Sequence, residues 1–308
     1  MPQEPTPRQH TLTRSVAVMN QKGGVGKTTT TVNLAAGVAR LGRSTLIVDL
    51  DPQAHASLHL GVDAEADGAP TIYDLLLDPE GPIDGAVRDA RPNLSIIPAV
   101  VDLAAAETEL ADAPNRHGRL TRVLERLAGR FEFVFIDCPP SLGLLTLNAL
   151  GASREALAPM QAHFLALQGL GKLFETVRLV GRGVNPRLRI SGVVLCMHEE
   201  TTNLAREVVA DLHAFFEGAR AEDVPWKSAR VYTPPIRRNI KLAESPSFGK
   251  TIFEYAPGAP GAQDYAALAE TFVREWDAML ARRAGGAGGS AAPEIVVPER
   301  ADAARAEA

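Results

Sequence analysis

Short apolar runs alternate with segments of helical periodicity along most of the chain. The runs are rich in Val, Ile, Leu and Phe and lack polar alternation, which is typical of strands buried on both faces of a parallel sheet. We predict strands at residues 15–19, 45–48, 94–97, 131–136, 156–159, 190–197 and 231–236. Helical spacing predicts helices at 27–41, 70–77, 103–110, 120–127, 144–150, 167–180, 202–216 and 265–280. The alternation predicts an α/β fold, with a single doubly wound, mostly parallel sheet flanked by helices.

The two ends of the chain lack this pattern. Residues 1–13 are rich in proline and contain no apolar run, and residues 284–308 are rich in Gly, Ala, Pro and Glu. Such segments bury too little apolar surface to offset the entropy lost on folding. We therefore predict a disordered arm at 1–13, one folded domain at 14–283 and a disordered tail at 284–308.

The composition is that of an ordinary globular protein, with 45% hydrophobic and 22% charged residues. No apolar run approaches the roughly 18 residues of a membrane span, and the N-terminus does not resemble a signal peptide. The two cysteines, Cys138 and Cys196, lie in apolar contexts that suit a reducing compartment. These features predict a soluble cytoplasmic protein.

Charge is distributed unevenly along the chain. The formal net charge is −5, but residues 154–250 contain 14 Lys/Arg and 10 Asp/Glu, a net of +4, which leaves −9 for the remainder. The overall balance argues against a strongly basic nucleic-acid binder. A basic face on an acidic protein can still bind DNA if its charges cluster. From charge alone, a solvated helical surface is the simpler interpretation.

A glycine-rich turn separates the first predicted strand from the first predicted helix. It consists of Lys22, Gly23, Gly24, Val25, Gly26, Lys27, Thr28 and Thr29. The glycines let the backbone turn its N–H groups inward, and the positive end of the following helix attracts phosphate. Lys27 can reach the outer phosphates of a nucleotide, and the Thr28 hydroxyl can bind Mg²⁺. The turn predicts a P-loop, in which Gln21 stands where the usual motif begins with glycine.

Three aspartates end apolar runs at the predicted carboxyl edge of the sheet. Asp49 and Asp51 follow the second predicted strand, and Asp137 follows the run at 131–136. Ligands of open α/β sheets bind beyond this edge, where carboxylates can hold Mg²⁺ and orient an attacking water. A single aspartate at a strand end is equally well explained as a helix cap. Three of them in a chain with a P-loop favour a phosphate site.

These motifs resemble those of the ParA/Soj-type partition ATPases, part of the deviant Walker A class of P-loop NTPases that includes MinD. The resemblance is carried by the P-loop, by Asp-Leu-Asp-Pro-Gln at 49–53 and by Phe-Ile-Asp-Cys-Pro-Pro-Ser at 135–141. It continues through Gln-Gly-Leu at 168–170, the segment at 238–250 and Gly-Ala-Gln-Asp-Tyr at 261–265. It therefore spans roughly residues 14–280, most of the predicted domain.

The resemblance implies an ATP hydrolase that uses ATP and Mg²⁺ and forms an ATP-dependent homodimer. Lys22 matches the signature lysine, which in this family reaches the phosphates held by the partner subunit. Asp51 matches the acid that positions or activates the hydrolytic water. The implied catalytic residues are thus Lys22 and Asp51, and the implied metal site is Thr28, Asp51 and Asp137.

Two further positions carry weaker implications. Asn239 aligns with a residue near the nucleotide base, but Arg237 stands where the family commonly has proline. Asp49 is expected only to support Asp51.

DNA binding is the second function that the resemblance implies. The basic positions of the later part of the chain are Arg237, Arg238, Lys241 and Lys250. The implied partners are non-specific double-stranded DNA and a ParB-like centromere-binding protein that stimulates hydrolysis, with no membrane involved. Such a protein would be cytoplasmic and associated with the nucleoid, and its cargo would be a chromosome or a plasmid.

Other interpretations were weighed against this one. An orphan relative would position another cargo, and a P-loop metabolic kinase would act on a small acceptor without stimulation by DNA. A MinD-like protein would be expected to end in a basic amphipathic helix, whereas this tail is acidic. A nitrogenase-reductase-like carrier needs cluster-bridging cysteines, and Cys138 has no matching second cysteine. His55, His59 and His117 lack metal spacing and are interpreted as surface or helix residues.

Overall fold

The computed structural model describes residues 12–163, 165–199 and 203–286. Within those residues the strands are Arg14–Val18 (β1), Thr45–Asp49 (β2), Arg88–Arg91 (β3), Leu94–Ile97 (β4), Phe133–Asp137 (β5), Glu155–Met160 (β6), Arg189–Leu195 (β7) and Arg230–Val231 (β8). The helices are Lys27–Arg40 (α1), His55–His59 (α2), Ile72–Leu77 (α3), Ala106–Glu109 (α4), Arg119–Arg126 (α5), Leu144–Ala152 (α6), Leu165–Gly183 (α7), Asn203–Ala219 (α8), Ile240–Glu244 (α9), Ile252–Tyr255 (α10) and Pro260–Gly286 (α11).

The strands form one sheet in the order β3-β4-β2-β5-β1-β6-β7-β8. Every pairing is parallel except that of β3 with β4 at one edge. The prediction of a mostly parallel, doubly wound sheet is therefore confirmed. The strands β2 to β5 lie on one side of β1 and β6 to β8 on the other, so the crevice at the carboxyl end of β1 is the point where ligands of such sheets bind.

Helices cover both faces of the sheet and divide the core into two layers. One layer packs α3 to α8 against the sheet and includes Leu46, Ile136 and Phe174. The other packs α1, α2 and α9 to α11 and includes Phe135 and Phe272. The helix α1 is buried along nearly its whole length because it lies between the sheet and α11. Two buried faces explain why the strands read as continuous apolar runs.

Several elements differ from the predictions. The antiparallel strand β3 was not predicted, because its sequence, Arg-Asp-Ala-Arg, is polar and lies at the sheet edge. Of the run at 231–236, only Val231 belongs to a strand, β8, since Pro234 and Pro235 have no N–H to continue a regular ladder. The N–H groups of Tyr232 and Ile236 still donate to the carbonyl oxygens of Val193 and Leu195 in β7. The predicted helix at 103–110 begins as a 3₁₀ turn, Val101–Ala105, before α4. The short helices α2, α9 and α10 are too brief to show helical periodicity.

The structure describes only a small part of the two terminal segments that the sequence predicts to be disordered. Helix α11 continues to Gly286, three residues beyond the predicted end of the domain at 283. The rest of the predicted arm and tail, residues 1–11 and 287–308, lies outside the described residues. Over the described ranges, no helix combines the length and apolarity needed to cross a membrane.

Candidate functional site

The sheet register brings the three predicted motifs together. Asp137 at the end of β5 lies beside Val18 at the end of β1 on one side and beside Asp49 at the end of β2 on the other. The P-loop follows β1 directly, and Asp51 follows β2. Because β5 lies between β1 and β2, its terminal aspartate is at the centre of the group. The loop and the carboxylates share one edge, as the sequence predicts.

The P-loop backbone adopts conformations that require glycine. Gly24 and Gly26 have φ angles of 71° and 95°, in the left-handed region. A Cβ atom on Gly26 would also lie 3.4 Å from the Cys196 side chain. Gly26 is the N-cap residue of α1, and no side chain of the described residues caps that helix. The first-turn N–H groups therefore have no acceptor within the helix and are available to an anion.

The two lysines of the loop lie in different environments. Lys27 is 8% exposed, and its Nζ lies 3.4 Å from the carbonyl oxygen of Lys22, inside the curl of the loop. Lys22 is exposed, and its Nζ lies 2.6 Å from Nε2 of His163. The Lys27 ammonium thus lies inside the P-loop, and the Lys22 ammonium lies at its outer surface.

Threonines of α1 hold Asp137 on both carboxylate oxygens. Thr28 Oγ1 donates to Oδ2 at 2.7 Å, and Thr31 Oγ1 donates to Oδ1 at 2.8 Å. Asp137 is completely buried, and burial raises its pKa, with repulsion from Asp49 adding to the effect. A cation at this position would favour the ionised carboxylate.

Asp49 and Asp51 have distinct roles in the structure. Asp49 is fully buried, and its Oδ2 accepts hydrogen bonds from the N–H and the hydroxyl of Ser57 at 2.9 and 2.8 Å. Burial raises its pKa as well. Asp51 is 7% exposed, and one of its carboxylate oxygens accepts the N–H of Gln53 at 3.0 Å. Asp49 therefore fixes the turn that presents Asp51 at the rim.

The donor set at this edge fits Mg²⁺ bound jointly with phosphate. The hydroxyl of Thr28 and the carboxylates of Asp51 and Asp137 are the hard oxygen ligands that Mg²⁺ prefers. No group of three or more His, Cys, Asp or Glu that could hold a metal occurs among the described residues. A protein cage for a metal is thus not found in that part of the chain, whereas Mg²⁺ commonly uses one or two carboxylates and takes further ligands from phosphate and water.

A cavity of about 410 Å³ opens directly beside the P-loop. Gly26 and Thr29 line it on one side, and Cys196, Asn239 and Ile240 line it on the other. The Asn239 side chain accepts the Lys241 N–H at 2.9 Å and so caps α9. The predicted base-proximal residue is therefore in the wall of a cavity next to the phosphate cradle, where its side chain also orders that wall.

Comparison with known proteins agrees with this geometry. A family model described as an AAA domain matches residues 13–190. The chain is 44% identical over 255 residues to the sporulation initiation inhibitor protein Soj of Bacillus subtilis, covering 83% of this chain and 96% of the relative. It is 40% identical over 267 residues to the chromosome partitioning protein ParA of Caulobacter vibrioides, covering 86% and 96%. The chain belongs to the ParA/Soj family of partitioning ATPases.

Solved structures share the fold of this ParA/Soj-family chain. Cobyrinic acid a,c-diamide synthase from Mycobacterium smegmatis, with bound ADP and magnesium, aligns with a TM-score of 0.70 at 34% identity, covering 86% of this chain and 96% of that one. The septum site-determining protein MinD from Pyrococcus horikoshii, with Mg-ADP, aligns with a TM-score of 0.62 at 27% identity, covering 84% and 96%. The first is named as a biosynthetic enzyme, so the fold alone does not decide the function.

The predicted DNA-binding residues of this ParA/Soj-family chain differ in their contacts. The Arg237 guanidinium pairs with buried Asp264 at 2.7 Å, which gives it a structural role. Arg238 pairs with Glu199, and Lys241 pairs with Glu244 at 2.8 Å. Lys250 is exposed. Arg238 and Lys241 thus pair with carboxylates at the surface, whereas Arg237, which is itself exposed, pairs with a buried one.

Residues that sequence reasoning missed support the site from outside the motifs. Thr31 holds the second oxygen of Asp137, Ser57 holds Asp49, and His163 contacts Lys22. Thr31 could have been found, because it lies one helical turn after Thr28 on the same face of α1. Ser57 and His163 are brought to the site by tertiary structure alone.

Two titratable side chains, those of His59 and Cys138, are buried in the structure. His59 is on a helix, but it is not a surface residue: it is 1% exposed, and burial lowers its pKa to about 4. Cys138 is buried beside the Asp137 carboxylate, and burial raises its pKa, which agrees with a packing role and not with a nucleophile.

Proposed function

We propose that the chain is a DNA-partitioning ATPase in which ATP controls the assembly of a DNA-binding homodimer. Mg-ATP binds at the carboxyl edge of the sheet, two ATP-bound copies associate, and the dimer binds double-stranded DNA without sequence preference. A ParB-like partner stimulates hydrolysis, which releases the subunits. Family membership and the donor set at the P-loop support ATP and Mg²⁺ as the ligands.

Each residue of the site has a role that follows from its surroundings. The N–H groups of 23–28 and the Lys27 ammonium hold the phosphates, because they converge on the inside of the loop. Thr28 and Asp137 hold Mg²⁺, which neutralises phosphate charge when bound. Asp51 orients the attacking water from the rim of the site. The cavity bounded by Thr29 and Asn239 receives the base.

The observation that carries the proposal is the contrast between Lys27 and Lys22. Lys27 is buried in the cradle, whereas Lys22 is exposed at its front and contacts His163. A cation that reaches the phosphates of the partner subunit only when two subunits associate would link catalysis to assembly, as an arginine finger does. The exposed position of Lys22 suits such a contact across an interface.

The DNA-binding step is assigned to Arg238, Lys241 and Lys250. Their charges lie on one short segment that also forms a wall of the base cavity, so nucleotide state and DNA contact involve the same backbone. Arg237 is assigned to holding that wall through Asp264. Dimerisation doubles the number of phosphate contacts, and the affinity should therefore fall steeply with salt.

A DNA-binding assay with ATP, ADP or no nucleotide tests the dimer switch. Wild type should bind a duplex only with ATP, and Lys22→Ala should fail to bind it even when ATP is present. Lys172→Ala removes an equally exposed lysine from α7 and should behave as wild type. DNA binding that is independent of ATP or unchanged in Lys22→Ala contradicts the mechanism.

Two further variants separate the steps. Asp51→Ala should remain dimeric with ATP because hydrolysis is blocked after assembly. Arg238→Ala with Lys241→Ala should dimerise but bind DNA more weakly. Its remaining binding should depend less on salt between about 50 and 200 mM than that of wild type. A P-loop enzyme with a small acceptor would instead show no stimulation of turnover by DNA, whatever the variant.

A further inference from the structure

A second cavity, of about 630 Å³, opens at the opposite edge of the sheet from the P-loop. Its walls come from the amino ends of β1, β6, β7 and β8 and from the later part of α11. The strand β1, which links the two edges, is five residues long, or about 16 Å. The cavity is therefore separate from the nucleotide site, and no step of the proposed function uses it.

The lining of this cavity is strongly basic. It contains six arginines and two glutamates, so its formal net charge is +4 in a chain whose total is −5. Two of the arginines form ion pairs with the two glutamates: Arg14 pairs with Glu155 at 2.8 Å, and Arg230 pairs with Glu275. The charges of these four groups balance one another.

The other four arginines carry the excess charge. Within the described part of the chain, none of them forms an ion pair with a carboxylate; they are Arg154, Arg187, Arg189 and Arg283. The Arg189 guanidinium donates to the carbonyl oxygens of Pro186 and Leu188 at 3.0 and 2.8 Å, which orients it without neutralising it. Like charges held close together in a partly enclosed space favour the binding of an anion.

Arg154 and Trp276 show that the excess charge extends below the surface. The Arg154 guanidinium lies over the Trp276 ring, 5.9 Å from its centroid. Burial lowers the pKa of Arg154; the charge of Glu155 opposes this shift, and the charges of Arg283, Arg14 and Arg187 add to it. Trp276 is 3% exposed, and its indole N–H has no hydrogen-bond partner. A buried donor of this kind is costly unless an acceptor is supplied.

We propose that this cavity is a second anion-binding site that receives a phosphate group. The planar guanidinium group matches the oxygens of phosphate. Four guanidinium groups without a carboxylate partner among the described residues suit a group with more than one negative charge. The volume is within the range of small-ligand sites. The phosphate could belong to a free phosphorylated molecule or to a DNA backbone, and both sources share the chemistry that the arginines recognise.

Calorimetry on the full-length protein tests the site. The P-loop is first saturated with Mg-ADP, and inorganic pyrophosphate is then titrated. Wild type should show saturable binding of one equivalent. Arg154→Gln with Arg187→Gln should bind about a hundredfold more weakly, because each of the two lost charge-assisted hydrogen bonds counts for about a factor of ten. Arg187→Gln alone, at an exposed position, should show part of this loss without a risk to folding.

A matched control removes the same charge elsewhere. Arg178→Gln with Arg220→Gln replaces two exposed arginines that pair with glutamates on their own helices, and its pyrophosphate affinity should equal that of wild type. The absence of saturable binding to wild type, or equal affinity in the Arg154/Arg187 variant with an unchanged melting temperature, overturns the proposal.

A second arm identifies the source of the phosphate. A labelled duplex is added to the ATP-bound protein, the state in which the proposed function has DNA bind, with and without pyrophosphate. Competition that disappears in Arg154→Gln with Arg187→Gln identifies DNA as the source. Pyrophosphate binding without competition identifies a free phosphorylated molecule.

Discussion

Thr28 Oγ1 donates a 2.7 Å hydrogen bond to Oδ2 of Asp137, which joins the first turn of α1 to the end of β5. In the proposed function these two side chains would hold Mg²⁺, and their oxygens are of the hard kind that this ion prefers. The hydrogen bond keeps the two oxygens together at the carboxyl edge of the sheet.

The first prediction concerns this pair. Thr28→Val keeps the shape of the side chain but removes the hydroxyl, and it should weaken the Mg²⁺-dependent part of ATP binding by at least about tenfold. Thr28→Ser retains the oxygen and should stay close to wild type. The measurement is ATP affinity as a function of Mg²⁺ concentration. Equal Mg²⁺ dependence in Thr28→Val and Thr28→Ser would remove Thr28 from the metal site.

The second prediction concerns the support of Asp51 by Asp49. Ser57→Ala removes the hydroxyl that donates to Asp49 at 2.8 Å and accepts the Ala99 N–H at 3.2 Å. It should lower the free energy of unfolding by about 1–3 kcal/mol, because it leaves buried polar groups unsatisfied. If Asp49 positions Asp51, ATP turnover should fall while ATP affinity is unchanged.

A matched serine separates positioning from general destabilisation. Ser95→Ala removes a hydroxyl that donates to Asp89 at 2.9 Å at the sheet edge, far from the P-loop. It should lower stability without a change in turnover at a temperature where both variants are folded. Similar turnover in the two serine variants would mean that Asp49 has no positioning role.

The prediction of the site from sequence succeeded where a motif lies next to the element that positions it. Parallel strands end at a common edge, so the P-loop and the aspartates could be brought together without knowledge of the strand order. The insertion of β5 between β1 and β2 could not be predicted, because it depends on contacts between residues more than 80 positions apart. That insertion is what puts Asp137 at the centre of the site.

Long-range partners account for the predictions that the sequence missed. The local sequence indicates that Arg237 is a surface charge, and the residue is exposed. It does not indicate that Asp264, 27 residues later, pairs with Arg237 and so ties it to α11. His59 lies in a short helix without clear periodicity, and its burial depends on the segment around Ser245, 186 residues away. In each case the local sequence fixes the residue type but not the surface that covers it.

The third prediction tests the packing of α1 against α11. A Cβ atom on Gly37 would lie 2.7 Å from Cβ of Ala269, closer than two carbon atoms can approach without movement of a helix. Gly37→Ala should therefore lower the free energy of unfolding by about 1–3 kcal/mol, despite the better helix propensity of alanine. Urea denaturation measures the change.

A glycine of α7 provides the control for this substitution. A Cβ atom on Gly181 would have no neighbour within 4 Å, so Gly181→Ala should raise stability by about 0.5–1 kcal/mol through helix propensity alone. The two identical substitutions should thus have opposite signs. A gain in stability from Gly37→Ala would show that α1 and α11 are not packed at the distance observed.

The fourth prediction concerns the pH dependence of stability. His59 is buried, and its Nε2 lies 3.5 Å from Ser245 Oγ. Burial lowers its pKa from 6.5 to about 4, although a hydrogen bond with the Lys250 backbone and the charge of Glu254 oppose the shift. The unfolded chain therefore binds a proton more readily than the folded one as the pH falls below 6.5. Protonation favours unfolding, and the stability contributed by neutral His59 is lost as the pH falls towards 4.

The size of this effect follows from the two pKa values. Between pH 7.5 and pH 5.0, His59 should lower the free energy of unfolding by about 2 kcal/mol. In His59→Gln this contribution should be absent, so the difference in stability between wild type and the variant should change by that amount over the same range. His55→Gln replaces an exposed histidine of the same helix and should leave the wild-type pH dependence intact. Urea denaturation at the two pH values measures all three proteins, and a parallel response of wild type and His59→Gln would mean that His59 is accessible to protons in the folded state.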